Sequence, residues 1–168
     1  SNVNYSYDDR YLAQLSLRRD EASNFGKRFG NFYSISGGWN IHRENWFDIS
    51  WINNLKLRVA HGTVGNRPAE LYPQYNLYSV SASAAYNELP GALISRIGNP
   101  NLTWEETATT GFGVDAAFLS NRLRLNFDWY NKNTDNILLN VPISQMTGVG
   151  SVYKNIGEMN NKGIEVNI

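Results

Sequence analysis

Two adjacent stretches of this sequence alternate apolar and polar residues with strict period two, at residues 112–118 and 123–129. A short polar turn at residues 120–122 lies between them. This arrangement predicts a β-hairpin in which each arm carries one apolar face. The apolar positions are Phe112, Val114, Ala116 and Phe118 on the first arm and Leu123, Leu125, Phe127 and Trp129 on the second.

The same pattern predicts the register of the two arms. If Phe118 lies opposite Leu123, each apolar residue of one arm meets an apolar residue of the other, as far as Phe112 opposite Trp129. A shift by one residue would place apolar side chains on both faces, so the alternation allows one register. The apolar face must then contact either a protein core or lipid.

Composition narrows the classes of protein that remain. Charged residues make up only 18% of the 168 residues and aromatic residues 13%, and the formal net charge is zero, which gives no indication of a nucleic-acid partner. Cysteine is absent, which excludes a disulfide scaffold and a thiolate metal site. No apolar run approaches the roughly 20 residues of a membrane helix, whereas a membrane β-strand needs only about 9–11 alternating residues.

Alternation elsewhere predicts further strands of the same kind. They are expected at residues 11–18, 33–42, 55–60 and 164–168. In the second of them, Tyr33, Ile35 and Trp39 share one face, and small residues such as Ser34 and Ser36 occupy the other. Charged side chains are more usual on the solvent face of a soluble sandwich, so these small polar residues favour the inner wall of a wide pore.

The connections between the predicted strands alternate in length. Residues 19–31, 63–106 and 132–162 are predicted as long connections, whereas residues 43–54 and 120–122 are shorter. This asymmetry is typical of an outer-membrane barrel, which has short periplasmic turns and long extracellular loops. The turn at residues 120–122 is therefore predicted to face the periplasm. A structureless connection as long as residues 63–106 is usually functional.

Within such a barrel the alternation assigns side chains to two environments. The predicted lipid-facing residues are Tyr33, Ile35, Trp39, Phe112, Val114, Leu125, Phe127 and Trp129. The predicted lumen-facing residues are Arg18, Arg58, Asp115, Arg124 and Asp128. We expect Arg124 to lie near enough to Asp115 and Asp128 to offset their negative charge, as on a solvated pore wall.

No catalytic, cofactor-binding or metal site is predicted. His42 and His61 lie far apart in the sequence and have no second ligand at helical or hairpin spacing. The glycine pairs Gly111/Gly113 and Gly148/Gly150 do not open a helix after a strand, so a phosphate-binding loop is not supported. We therefore expect a protein that is not an enzyme and needs no cofactor.

The tyrosines of the longest predicted loop are the candidates for contact with a ligand. They are Tyr72, Tyr75, Tyr78 and Tyr86. An aromatic ring stacks on a sugar face, and the tyrosine hydroxyl forms hydrogen bonds. The alternative is that these side chains pack the loop on itself or against a neighbouring protein.

Several motifs, in a fixed order along the chain, also resemble a known family. They are residues 18–20 (Arg-Arg-Asp), Phe25-Gly26 and Phe29-Gly30, residues 36–39 (Ser-Gly-Gly-Trp), residues 51–58, residues 62–66 (Gly-Thr-Val-Gly-Asn), residues 98–105 (Gly-Asn-Pro-Asn-Leu-Thr-Trp-Glu) and residues 155–165. In this order they resemble the SusC/RagA-type TonB-dependent outer-membrane transporters. Residues 69–95 are the part of the chain without such a match.

The resemblance implies an all-β, antiparallel, up-and-down transmembrane β-barrel with long extracellular loops. Residues 1–168 would form a portion of the C-terminal half of that barrel, with the plug domain and the remaining strands outside the chain. The implied function is import of glycans or peptides across the outer membrane of a Bacteroidetes-like bacterium, driven by the TonB complex. The implied partners are a SusD-like surface lipoprotein, outer-membrane lipid and the TonB complex, the last through parts outside this chain.

Two other functions are consistent with parts of the pattern. A soluble β-sandwich that binds carbohydrate would bury the apolar face against a second sheet. A siderophore-type TonB-dependent receptor would share the barrel but not the lipoprotein partner, and the motif at residues 98–105 argues against it.

Overall fold

The computed structural model describes residues 1–23, 26–67, 70–86 and 89–168. Within these ranges the chain forms strands β1 (Asn2–Tyr7), β2 (Tyr11–Glu21), β3 (Phe29–Asn40), β4 (Ile52–Asn66), β5 (Leu77–Tyr86), β6 (Leu89–Arg96), β7 (Glu105–Phe118), β8 (Leu123–Pro142) and β9 (Ser151–Asn167). Two 3-10 turns, Ile41–Arg43 and Gln145–Thr147, lie in the connections. None of the helical turns in these ranges is long and apolar enough to cross a membrane.

Seven of the strands form one antiparallel sheet in the order β1-β2-β3-β4-β7-β8-β9. Each strand pairs with the next along the chain, except that β5 and β6 form a separate hairpin between β4 and β7. In the described residues β1 and β9 are the two edges of the sheet. The prediction of an all-β, up-and-down antiparallel fold is confirmed.

The predicted register of the β7–β8 hairpin is also confirmed. Phe118 lies opposite Leu123 and Phe112 lies opposite Trp129, with no irregularity between them. Pairing continues outward on both sides, since Phe112 also meets Val59 on β4 and Trp129 meets Ile164 on β9. The two-residue period of the sequence therefore sets which side chains share a face across the whole sheet.

One face of the sheet, called here the apolar face, carries two continuous rows of mostly apolar residues. The rows are Tyr5–Ala13–Gly37–Val59–Phe112–Trp129–Ile164 and Tyr7–Tyr11–Trp39–Leu57–Val114–Phe127–Val166. No second protein layer covers them in the described part of the chain, where Val59 is 55% exposed and Ile164 63% exposed. Large contiguous apolar surfaces of this kind are rare on soluble monomers and mark contact with a membrane or a partner.

The opposite face, called the polar face, carries the alternate rows. They are Asn4–Gln14–Ser36–Ala60–Gly111–Tyr130–Gly163 and Ser6–Leu12–Gly38–Arg58–Gly113–Asp128–Glu165. The ring of Tyr130 lies over Gly163, where a Cβ atom would come within 2.7 Å of the Tyr130 hydroxyl. Small residues therefore leave room for the larger polar side chains of the neighbouring strands.

The prediction of a long connection at residues 132–162 is wrong. β8 continues to Pro142 and β9 begins at Ser151, so the connection is only residues 143–150. Beyond Trp129, the next two positions of β8 on the apolar face are Asn131 and Asn133. The Asn160 amide of β9 donates to both of their side chains. The hydrogen-bonded ladder persists there without the apolar alternation by which a strand is recognised in a sequence.

The predicted loop at residues 63–106 is likewise only partly a loop. β4 extends to Asn66, β7 begins at Glu105, and the β5–β6 hairpin lies between them. The predicted loop at residues 19–31 shortens to residues 22–28, because β2 and β3 pair as far as Glu21 opposite Phe29. Pairing at the extended ends of β2, β3, β4 and β7 involves few apolar positions, so the sequence alone gives little signal of it.

The connections fall at two ends of the sheet. Residues 8–10, 41–51 and 119–122 lie at one end, called the short-turn end. Residues 22–28, 67–104 and 143–150 lie at the other, called the long-loop end. The expected difference in loop length between the two ends is not uniform, because residues 41–51 at the short-turn end form a longer connection than residues 22–28 at the long-loop end. The difference arises mainly from residues 67–104 and from the extension of β8 and β9.

Candidate functional site

An ion-pair cluster occupies the middle of the polar face. The Arg58 guanidinium on β4 donates from Nε and Nη2 to the two carboxylate oxygens of Asp115 on β7, at 2.7 and 2.8 Å. The same Nη2 donates to Asp128 Oδ1 on β8 at 3.0 Å. Asn126 adds a further hydrogen bond to Asp115, at 2.8 Å. One arginine therefore bridges two carboxylates from two different strands.

Gly113 makes this bridge sterically feasible. It lies between Arg58 and Asp128 in one row of the polar face. A Cβ atom at this position would lie 2.8 Å from Arg58 Nη2 and 2.6 Å from Asp128 Oδ1. The missing side chain leaves the space through which the guanidinium reaches across β7.

The predicted lumen-facing residues all share the polar face, but only three of them come together. Arg18 lies near the long-loop end, where it pairs with Asp20 at 2.9 Å and extends over the Phe32 ring. Arg124 lies opposite Ala117 and is exposed. The ion pairs with the two aspartates come from Arg58, and the expectation that Arg124 also offsets their charge stays a prediction. Arg58 reaches them because it shares a row with Asp128, which the strand order of the sheet determines.

A groove runs beside this cluster on the same face. Its volume is about 470 Å³, and Gln14, Ser36, Lys56 and Arg58 are among its lining residues. The ion pairs at its edge are partly exposed, with 40% of the Arg58 side chain and 25% of the Asp115 side chain accessible. Ion pairs this accessible contribute about 1 kcal/mol or less to stability, so the cluster makes the wall hydrophilic rather than holding it together.

A second candidate site lies at the long-loop end, where residues 97–104 cross toward β9. Leu102 is fully buried there (0% exposed) and packs with Ala22, Trp104, Leu138 and Tyr153. Elsewhere in the described ranges few side chains are buried, since both faces of the sheet are open. This small cluster is therefore the main hydrophobic core of the described chain.

Asn155 fixes this crossing segment to β9 and β8. Its side-chain oxygen accepts from the Thr103 backbone N–H at 2.9 Å, and its amide donates to the carbonyl oxygens of Thr103 at 3.0 Å and Asn136 at 2.7 Å. In addition, the Leu138 backbone N–H donates to the Glu105 carboxylate at 2.9 Å. The bonds to Thr103 satisfy backbone groups of a segment that does not belong to the sheet.

Two of the motifs that resemble the SusC/RagA family, Phe25-Gly26 and residues 98–105, meet at this place through Gly26. Gly26 lies so close to the Pro100 carbonyl that a side chain there would overlap with it, and the Lys27 N–H donates to the Leu102 carbonyl at 3.1 Å. Phe32 packs edge-on against Trp104, with ring centres 5.8 Å apart. Motifs far apart in the sequence thus form one structural unit, which spacing along the chain could not reveal.

Replacing Gly65 with alanine is expected to destabilise this unit by about 1–3 kcal/mol, because the new methyl group would overlap with the buried Phe32 ring. The matched control is Gly111→Ala, also in a strand of the same sheet, where the nearest atom is the Trp129 carbonyl oxygen at 3.8 Å. The free energy of unfolding of the refolded full-length protein measures the difference. Equal stability of the two variants would contradict the packing described here.

Two of the four predicted ligand-contact tyrosines come together at the long-loop end. The rings of Tyr72 and Tyr75 stack with centres 6.3 Å apart, and both are exposed. Tyr78 is exposed on β5, whereas Tyr86 ends β5 and its side chain lies outside the described residues. The sequence indicated the aromatic residues but not what supports them. Arg96 does so by donating to the Leu71 and Tyr72 carbonyl oxygens at 3.3 and 2.8 Å.

The two histidines occupy separate places. His42 contacts the Leu55 backbone at the short-turn end. His61 lies between the Tyr33 hydroxyl at 3.3 Å and the Thr110 hydroxyl at 2.9 Å. In the ranges that the structure describes, no three His, Cys, Asp or Glu side chains are grouped so that they could hold a metal ion.

An antiparallel meander that is apolar on one exposed face and polar on the other defines the class of membrane β-barrel walls. The family model described as TonB dependent receptor-like, beta-barrel matches residues 1–168. The chain belongs to this family. The match confirms the predicted barrel fold and the predicted location in the bacterial outer membrane.

Individual relatives agree with this assignment. TonB-dependent receptor P39 of Formosa agariphila is 39% identical over 171 residues, which cover 100% of this chain and 16% of that protein. TonB-dependent receptor SusC of Bacteroides thetaiotaomicron is 34% identical over 187 residues, which cover 99% of this chain and 17% of that protein. The chain therefore spans about one sixth of the length of these relatives.

A solved structure agrees as well. The structure of the RagAB peptide importer in a closed-closed state matches with a TM-score of 0.89 and 32% identity, over 98% of this chain and 18% of that one. Together with SusC, this match confirms the resemblance to the SusC/RagA type. The relatives are transporters and receptors by name, and their organisms fit the expected Bacteroidetes origin.

Proposed function

We propose that this chain forms part of the wall of an outer-membrane active transporter that imports nutrients with energy from the TonB complex. The observation that carries the proposal is the seven-stranded sheet, with an uncovered apolar face and a polar face that holds the Arg58–Asp115–Asp128 cluster. The apolar face contacts lipid and the polar face lines the lumen. The chain is a portion of the barrel domain, and its role is structural and transport-related rather than enzymatic.

The proposed substrates are glycans or peptides. Support comes from the relatives, since one matched structure is named a peptide importer and another relative is SusC. Support also comes from the Tyr72–Tyr75 stack, because an exposed aromatic platform suits both sugar rings and peptide side chains. The 32–34% identity with these two proteins favours this proposal over a siderophore-type receptor.

The proposed partner at the long-loop end is a SusD-like surface lipoprotein. The exposed β5–β6 hairpin supports this, since Tyr78, Val80 and Leu93 are all exposed on a ribbon of two strands. An isolated two-stranded ribbon is marginally stable in water and gains stability by packing against another surface. Contact with the TonB complex is assigned to parts of the transporter outside this chain.

Deleting the gene for the transporter tests the proposed function. The deletion strain is expected to lose growth on one class of sole carbon source, either oligosaccharides or oligopeptides, and a strain without functional TonB is expected to show the same loss. Complementation with the intact gene should restore growth. Unchanged growth of the deletion strain across both classes, or growth that does not depend on TonB, would contradict the proposal.

Replacing both Tyr72 and Tyr75 with alanine is expected to raise the substrate concentration for half-maximal uptake by roughly 2–10-fold, which corresponds to an aromatic contact of about 0.5–1.5 kcal/mol. The matched control replaces the same residues with phenylalanine, which retains the stack. Uptake is compared at equal amounts of transporter in the outer membrane. If the alanine variants transport as well as the phenylalanine variants, the tyrosines do not contact substrate.

A further inference from the structure

A cavity of about 810 Å³ lies at the long-loop end, where β4 ends and β7 begins. Asn66 and Glu105, which are the last pair of the β4–β7 ladder, both line it. Because side chains alternate along a strand, these two residues share the polar face with Arg58 and Asp115. The cavity therefore borders the polar face, and its volume is in the range of pockets that hold small ligands. Its further lining residues include Arg67, Glu70 and Tyr153.

Both carboxylates that line the cavity already have donors for their oxygens. Glu105 accepts from the Asn66 amide at 3.2 Å and from a backbone N–H of β8 at 2.9 Å. Glu70 accepts from the Tyr153 hydroxyl at 3.1 Å, and its other oxygen lies 3.6 Å from the Arg96 guanidinium. Neither carboxylate therefore needs a ligand to satisfy it.

Arg67 differs from these two residues. It directly follows β4, it is exposed, and it lines the cavity. In the part of the chain that the structure describes, its guanidinium has no ion-pair or hydrogen-bond partner. A guanidinium presents its N–H donors in a planar fork that matches the two oxygens of a carboxylate. The cavity thus offers a cation that is available to an anionic group of a ligand.

The cavity adjoins the Tyr72–Tyr75 stack. Leu71, which lines the cavity, directly precedes Tyr72 in the chain. Arg96 donates to the carbonyl oxygens of both residues and also pairs with Glu70. One arginine therefore supports a wall of the cavity and one end of the aromatic stack. A ligand that rests on the exposed rings has the cavity as its neighbouring contact.

We propose that this cavity binds a carboxylate of the imported substrate, with Arg67 as its ion-pair partner. This rests on the proposed import function and names a chemical group that the substrate must carry. Both proposed substrate classes can supply it, as a uronic acid in a glycan or as the chain end or an acidic side chain in a peptide. Neutral glycans lack the group and bind more weakly, because a charge-assisted hydrogen bond is stronger than a neutral one.

Binding to the purified full-length transporter in detergent tests the proposal. The probes are oligogalacturonides from pectin and a peptide digest of casein, each offered as free acids and after methyl esterification. Mass spectrometry quantifies the components that the transporter retains. We expect the free acids of one mixture to be retained at least about 10-fold more than their esters, and that mixture identifies the source of the carboxylate. Equal retention of acids and esters in both mixtures would overturn the proposal.

The variant Arg67→Gln assigns the preference to this residue, since it removes the charge without breaking a contact of the described chain. Retention of the acids is expected to fall to within about twofold of the esters, and retention of the esters should not change. Arg67→Lys should keep part of the preference, because a cation remains but the planar fork is lost. An acid preference that survives intact in Arg67→Gln would refute a carboxylate site at this residue.

The matched control is Lys154→Gln. Lys154 is an exposed cation on β9 next to Tyr153, but it does not line the cavity. The substitution removes the same charge at the same end of the sheet, so we expect it to leave the acid preference unchanged. An equal loss in Lys154→Gln and Arg67→Gln would indicate attraction by the overall charge of this end and would overturn the site.

Growth on the preferred acidic source, supplied at a limiting concentration, separates this proposal from the proposed function. If deletion of the gene abolishes growth while the Arg67→Gln strain grows like the wild type, import stands and the carboxylate site is refuted. If both strains lose growth and the Lys154→Gln strain does not, both proposals are supported. If the deletion strain grows normally, import itself fails, and the cavity has no role in uptake.

Discussion

The variant Leu125→Arg is expected to lower the free energy of unfolding by about 2–4 kcal/mol in a lipid bilayer, because it places a charge on the apolar face near the bilayer middle. Leu125 pairs with Ala116 in the β7–β8 hairpin, between Trp129 and the turn at residues 119–122. The measurement is a denaturant titration of the full-length transporter folded into phospholipid vesicles. Val114→Arg, on the opposite arm, should give a loss of similar size.

The matched control is Asn126→Arg, one residue along the same strand and on the polar face. Its side chain lies next to Asp115, with which it forms a hydrogen bond, so an arginine there meets a carboxylate and water instead of lipid. We expect a change of about 0.5 kcal/mol or less, as for an ordinary exposed substitution. A large loss for Asn126→Arg with little loss for Leu125→Arg would reverse the assignment of the two faces.

The variant Leu102→Ala is expected to cost about 2–5 kcal/mol, because the leucine is completely buried and its truncation leaves a cavity. The loss is local to the long-loop end, since Leu102 packs with Ala22, Trp104, Leu138 and Tyr153 rather than with the rows of the sheet. Hydrogen exchange therefore measures it best. Amides of residues 98–104 should exchange faster, whereas those of the paired β7–β8 rows should not change.

Leu139→Ala provides the comparison for this variant. Leu139 lies on β8 next to the buried Leu138 but is 45% exposed, so removing its side chain takes away less buried surface and opens no enclosed cavity. We expect less than half the effect of Leu102→Ala. Equal effects of the two substitutions would show that the crossing segment at residues 97–104 is not held by its buried leucine.

The sequence could predict those parts of the fold whose side chains form the apolar face. In the β7–β8 hairpin each apolar residue has an apolar partner, and this was enough to obtain the register from Phe118–Leu123 to Phe112–Trp129. Where β8 and β9 pass beyond Trp129, side chains such as Asn131 and Asn160 bond to each other, and the strands continue without an apolar period. A long connection was predicted there because hydrogen bonds between backbone groups pair two strands without leaving a pattern in the sequence.

The candidate sites were predictable to different degrees. Alternation placed Arg58, Asp115 and Asp128 on one face, but that Arg58 bridges the two carboxylates depends on the strand order and on the space at Gly113. The tyrosines of the long loop could be chosen from the sequence because they are aromatic. The hydrogen bond from Arg96 to the Tyr72 carbonyl oxygen could not be predicted, because only the fold brings these two residues together. For the cluster around Leu102, the sequence showed only motifs that resemble a family and did not predict that these residues pack together.

The position of that cluster has a consequence for how such transporters can diversify. Residues 97–104 follow the β5–β6 hairpin in the chain. They are fixed to the rest of the chain by contacts with Asn155 and Gly26 and by the burial of Leu102. Residues 70–76, which precede the hairpin, form one base with residues 97–104, since the Gly98 N–H donates to the Asn76 side-chain oxygen at 2.8 Å and the Asn99 N–H donates to the Pro73 carbonyl oxygen at 3.0 Å. Changes of length or sequence that leave this base and the β4–β7 ladder intact are therefore expected within residues 77–95, which form the β5–β6 hairpin.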